Sequence, residues 1–364
     1  MMNGYRQIAG SLSSNFTARS IEFSAMLRQF LKRMPHNFHF VFYISLFIVS
    51  CHPDNRKVDV SQVNINIHAA RFENDLPENL ENMNGLQQKY GSFFELYNYQ
   101  LLNLGTPDTV LLKTRLSDFV HDPDISNVYT DTKKMYPDVE EVNQQLTDAF
   151  RHYRFYFPEK IIPGVITYIS GFRYAIICAD SILGIGLDMY LGSESKYYPS
   201  LELPGYKIRR MRKEYIAADA LRGWAQSEWD QDPAQTDLLS QMIYQGKNQY
   251  FLDLIMPEVN DTIKFGFTQQ QLEWCTASEK TIWSFIIDHK LLFSSEASQI
   301  GKYINDGPTT NGFPKESPGN IGALIGYKIV KAYMDKHSGI SLPQLMAEND
   351  PKKIFRDSNY KPAK

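Results

Sequence analysis

An α+β fold dominated by helix, with a small sheet in its middle, is predicted by three observations. Apolar residues recur at three and four, as in Leu86, Tyr90, Phe93, Phe94, Tyr97 and Leu101, and again in Ile321, Leu324, Ile325, Ile329, Ala332 and Tyr333; that period lays one apolar stripe along a helix. Three short runs rich in β-branched residues interrupt the helical texture between residues 161 and 191, separated by Gly or Asp. Aromatic residues make up 13% of the chain, with 22 Tyr and 22 Phe, the makings of a packed body rather than a disordered one.

The N-terminal segment reads as a leader. Residues 40–49 carry no charge, follow Lys32 and Arg33, and end in Ile48-Val49-Ser50-Cys51. A basic start, a short apolar stretch and a small residue before the cut describe a secretory signal peptide over residues 1–50. The cysteine after the cut adds the bacterial lipoprotein pattern, with Cys51 as the lipid attachment site. Ten apolar residues reach about 15 Å as a helix, half a bilayer core, so a membrane span is the weaker reading. Met1 to Ala25 is polar and without period, so the start reads as over-extended, with Met26 opening a normal basic region. Residues 51–57 form a lipidated tether of mixed charge, which favours an anchor facing the periplasm; inner and outer membrane stay undistinguished.

Two stretches follow as one packed unit, a strand plus helical half over 58–154 and a second half over 155–364. Val63, Ile65 and Ile67 alternate with Asn64, Asn66 and His68, which predicts a strand over Val58–Phe72. Leu76 to Arg154 is helical in pattern. Strands are expected in 161–170, in Phe172–Cys178 and in Ile182–Leu191, then a Tyr- and Pro-rich loop over Lys196–Tyr206. Helices are expected over 211–228, 236–256, 268–292, 295–305, 318–337 and 342–356. Thr268 and Gln271 form a capping box for the third of these, and Ser338-Gly339 ends the fifth.

Removing residues 1–50, which hold five Lys/Arg and one Asp/Glu, leaves 33 positive and 40 negative side chains, net −7. Such a surface repels phosphate backbones and excludes nucleic acid as a partner. Cys178 and Cys275 sit in apolar or aromatic surroundings and read as two buried thiols rather than a disulfide. The six histidines after residue 50 show no H-E-x-x-H spacing. The nucleophile elbow, dinucleotide fingerprint, Walker loop and EF-hand patterns are absent too. The polar remainder gathers at Asp188 and Tyr190, expected to point outward from a strand, at Asp219 and Arg222, three apart on a helical face, and at Tyr244, Gln245 and Lys247. By themselves these are ordinary solvated faces.

Five short motifs in order carry more. Ile185-Gly186-Leu187-Asp188-Met189-Tyr190-Leu191-Gly192, Tyr215 to Asp219, Met242 to Lys247, Gln271 to Cys275, and Glu316 to Gly319 with Ile325-Gly326-Tyr327 resemble the gliding-motility lipoprotein GldB family of Bacteroidota. The lipobox cysteine and the closing Tyr360-Lys361-Pro362 fit as well. The resemblance implies a lipid-anchored component needed for gliding, associated with type IX protein export and with other gliding-machinery or envelope proteins as partners.

The same order is similar to zinc peptidases of the gluzincin type, which implies a zincin-like domain with a small mixed sheet. In that register the metal histidines fall on Ala218 and Arg222, the general base on Asp219 and the third ligand on Gln245. Alanine has no lone pair, arginine brings a fixed charge, and a glutamine carbonyl cannot hold Zn²⁺ alone. The resemblance therefore implies no metal, no cofactor, no catalytic residue and a pseudo-enzyme. A polypeptide would then bind in a cleft lined by Asp188, Tyr190, Asp219, Arg222, Tyr244, Gln245 and Tyr327, pairing with an edge strand near Ile185–Leu191. The alternative is a hydrolase, peptidase or glycosidase-like, using Asp188 and Asp219 as its acids.

Overall fold

The computed structural model of this 364-residue chain describes residues 58–105 and 109–362. The expected signal peptide, Cys51 and the tether lie outside the described residues. The elements run β1 (Ala70–Arg71), α1 (Phe72–Glu78), α2 (Met83–Tyr90), α3 (Ser92–Leu96) with a π-helical turn at Tyr97–Leu101, α4 (Thr109–His121), α5 (Pro123–Met135), α6 (Glu140–Tyr156), β2 (Gly164–Tyr168), β3 (Ile176–Ala179) and β4 (Ile182–Gly186). Then come α7 (Gly205–Ile208), α8 (Ile216–Glu228), α9 (Leu238–Ile255), α10 (Asp261–Phe265), α11 (Gln269–Asp288), α12 (Ala297–Ile304), α13 (Ile321–Lys336), α14 (Leu342–Ala347) and α15 (Pro351–Ser358). The fold is α+β, mostly helix around a small mixed sheet.

The sheet has the order β1-β2-β4-β3, with the first three strands parallel and β3 antiparallel to β4. Strand β2 is buried on both faces: Val165 joins the large core, while Ile166 and Tyr168 join a smaller one built from α1 to α4. Strand β4 repeats the alternation with Leu183 and Ile185 on the large-core side. This is period-two burial acting on both faces at once.

The expected strand over Val58–Phe72 forms only at Ala70–Arg71. Its alternation is real, with Ile67 buried between exposed Asn66 and His68, but the facing element is a helix. Side chains of α6 answer the backbone instead of a ladder: Ile67 N–H donates to Thr147 Oγ1 at 2.9 Å and Ala69 N–H to Asn143 Oδ1 at 3.0 Å. Arg151 Nε donates to the Ile65 carbonyl at 3.2 Å. Those bonds settle the extended segment's polar groups without a neighbouring strand.

Other boundaries shift for local reasons. The stripe from Leu86 to Leu101 is cut at Gly91, whose φ of +52° leaves helical space, yet both pieces keep their apolar face on the smaller core. The Phe172–Cys178 run pairs only from Ile176, because Gly171 and Phe172 turn with positive φ. The loop over Lys196–Tyr206 contains a 3₁₀ turn at Tyr198–Leu201 and the start of α7. The single helix expected over 342–356 is two, since Pro351 opens α15 and Asp350 caps it by accepting from Lys353 N–H at 3.0 Å. The Thr268–Gln271 capping box forms as expected.

Two helices set the width of the second half. Helices α9 and α13 cross at Gly246 and Gly326, where a Cβ on Gly326 would fall 1.7 Å from the Met242 carbonyl oxygen and one on Gly246 would fall 2.2 Å from the Gly326 carbonyl carbon. The two backbones touch, and only glycine permits it. Cys178 and Cys275 are free thiols. Cys275 is buried as expected, Cys178 only half-buried, and burial pushes their pKa values up to about 12 and about 11.

Candidate functional site

A polar cavity of about 450 Å³ opens where α8, α9 and the start of α13 meet. Helical spacing builds its walls. Arg222 and Gln226 stand four apart on α8; Gln245, Asn248 and Gln249 share one face of α9. Asn320, just before α13, and the 304–306 segment close one side, while Tyr206, Lys207 and Arg210 close another.

Asp219 organises the charges at this cavity. It lies in the first turn of α8, where a carboxylate is favoured by the helix dipole. Its Oδ1 accepts from Arg222 Nη1 at 2.7 Å and from Arg210 Nη2 at 3.2 Å, and its Oδ2 accepts from the Tyr190 hydroxyl at 3.2 Å. Arg210 reaches across to Asp306 Oδ2 at 3.2 Å. The second arm of Arg222 donates to the Lys264 carbonyl. Burial lowers the Arg222 pKa from its ordinary value, with Asp219 pulling the other way. Burial, then Asp219, holds the Tyr190 hydroxyl well above the usual phenol range, so Tyr190 is a donor here.

Amides supply the rest of the lining. Gln245 Nε2 donates to the Ile304 carbonyl at 3.0 Å, while its Oε1 is buried without a hydrogen-bond partner. Gln249 Nε2 and Asn320 Oδ1 are likewise buried and unpartnered. Buried polar groups are seldom left so.

The seven expected cleft residues do not form one cleft. Arg222 and Gln245 line the cavity, and Asp219 and Tyr190 reach it through the ion cluster. Asp188, Tyr244 and Tyr327 sit elsewhere. The strand carrying Asp188 and Tyr190 ends at Gly186 and gives way to a 3₁₀ turn, Leu187–Tyr190. Both side chains are therefore buried rather than outward, at 0% and 2% exposure. Asp188 Oδ2 accepts from Ser170 N–H at 3.1 Å and Phe172 N–H at 2.6 Å, pinning the positive-φ turn after β2. Burial raises its pKa to about 6 although those backbone donors lower it.

Tyr244 faces a smaller pocket with Trp229 and Lys247. There the Lys247 ammonium caps α14, donating to the carbonyls of Met346 and Glu348 at 2.8 Å each. Tyr327 donates to Asp253 Oδ2 at 2.8 Å beside the buried Lys264–Asp253 pair, 2.6 Å apart. Ala218 is fully buried in the core. Strand β4 lies between β2 and β3, so it offers no free edge to a peptide.

Among the described residues no group of three or more His, Cys, Asp or Glu is placed to hold a metal ion, and no helix is long and apolar enough to cross a membrane. Arg210, Lys207, Asp306, Gln249 and Asn320 were absent from the sequence reading. The i, i+4 spacing of Gln245 and Gln249 on one expected helix is the signal that could have found Gln249; the 206–210 and 304–306 contributions come from short α7 with the turn after it and from the end of α12, far apart in the chain, and carry no shared periodic signal.

The molecule is thus a helix-rich α+β body whose distinguishing feature is a cation-bearing, amide-lined cavity. The family model described as gliding motility protein GldB matches residues 53–362, and the chain belongs to that family, whose designation marks it as one of lipoproteins. No curated protein and no solved structure matches the chain.

Proposed function

We propose that the chain is a lipid-anchored, non-catalytic envelope component of the gliding machinery, held by Cys51 and facing the periplasm, whose cavity binds a polypeptide partner. Membership of the GldB family supports the motility role. One observation carries the non-catalytic reading: the carboxylate at the expected general-base position, Asp219, is bound to Arg222, Arg210 and Tyr190 at once. Three donors already hold both of its oxygens, so this carboxylate is engaged within the fold rather than presented to a bound water. The Arg222 guanidinium stands where the zincin resemblance places a metal histidine, and its fixed charge opposes a dication. The hydrolase reading finds little support, because Asp188 is sealed from solvent behind Ser170 and Phe172 and shares no open cleft with Asp219.

A photo-crosslinking side chain at Gln226, exposed on the cavity rim, tests the binding reading in the native envelope. It is expected to capture a discrete polypeptide, which the same probe at exposed Phe293, outside the cavity, does not. Identical adducts at both positions, or stoichiometric zinc held by protein ligands in the purified chain, would overturn the proposal.

A further inference from the structure

The charges around the cavity are nearly spent on one another. Asp219 takes Arg222 and one arm of Arg210, and Asp306 takes the other arm. With Lys207 on the rim, three cations face two carboxylates, a surplus of one positive charge. The uncommitted groups are carboxamides: Gln245 Oε1, Gln249 Nε2, Asn320 Oδ1 and both polar atoms of Asn248, all buried and unpartnered. Gln249 is only 6% exposed and lines the cavity wall. A buried polar atom left without a partner is destabilising until something bonds to it.

That inventory selects among ligands. A phosphate or other dianion calls for uncommitted cations in number, and both guanidiniums here are engaged. A neutral saccharide would use the amides but leave the surplus charge unanswered. A secondary amide offers one donor and one acceptor, the complement of a side-chain carboxamide, and a single carboxylate answers a single surplus cation. We propose that the cavity captures the C-terminal end of a peptide, its last amides against Gln245, Gln249 and Asn320 and its carboxylate toward Lys207. Its volume of about 450 Å³ suits a short chain end rather than a folded surface. This deepens, and rests on, the polypeptide-binding reading.

The test uses the purified full-length chain in detergent with two pools of acetylated tripeptides, one ending in free carboxylates and the other in carboxamides. Calorimetric titration is expected to show the acid pool binding roughly tenfold or more tightly than the amide pool, the worth of one charge-assisted hydrogen bond. Lys207→Gln, at an exposed position, is expected to erase that preference without lowering the melting temperature of the free protein. Gln249→Leu is expected to weaken both pools. Equal affinity for the two pools in the unaltered protein would overturn chain-end capture and leave peptide binding standing. Binding of neither pool, with N-acetylglucosamine oligomers binding instead, would overturn both.

Discussion

Asp188 and Asp219 are both aspartates near the same core, yet their surroundings give them opposite work. Asp219 is partly exposed and surrounded by donors, two of them cationic, whereas Asp188 is fully buried with backbone donors alone. Desolvation wins at Asp188 and raises its pKa to about 6 from an unfolded value near 3.8. The folded state then holds the proton more tightly, so this contribution to stability is fully present below pH of about 4 and is lost as pH rises through about 6. Asp188→Asn keeps an acceptor for Ser170 and Phe172 and cannot ionise. Urea midpoints should therefore favour the variant relative to the parent progressively more from pH 4 to pH 7. A constant difference over that range would refute the assignment.

Helices α9 and α13 show what periodicity reveals and what it hides. The apolar stripe of α13 was readable because its burial repeats every three to four residues, whereas α9 is buried in contiguous runs; both helices form within a few residues of expectation. The backbone contact between them was not readable, because a glycine in a helix carries no sign of what stands opposite. Extended segments misled for a related reason: alternation reports one buried face, and Val58–Phe72 buries its face on a helix while Ile182–Leu191 keeps burial past the point where its backbone turns. Gly246→Ala has no room in which to relax, the nearest neighbours being backbone atoms. Its cost is expected at or above the upper end of the usual ~1–3 kcal/mol for overpacking. Chemical denaturation should show a lowered midpoint with an unchanged slope; a midpoint within error of the parent would mean the helices stand further apart.

At the level of the chain as a unit, the described residues cluster together, none of their helices is long and apolar enough to cross a membrane, and the proposed reading puts membrane attachment at Cys51. Cys51→Ser should therefore release the protein from the membrane fraction while its far-UV circular dichroism and melting stay those of the parent. Retention in that fraction would place the anchor elsewhere. The cavity was half legible beforehand. Arg222 and Gln245 emerged from the order of short motifs, but much of its remaining wall comes from segments far apart in the chain, around 206–210, 304–306 and 320, and only folding brings those together. Arg210 joins three of these separate pieces through Asp219 and Asp306, whose side chains are 18% and 48% exposed. Counterions weaken a wet ion pair well before a sheltered one. Ionic strength therefore acts on the entrance first: rising salt loosens the hold on the 304–306 segment while the inner aspartate keeps its grip, so the mouth slackens before the floor does.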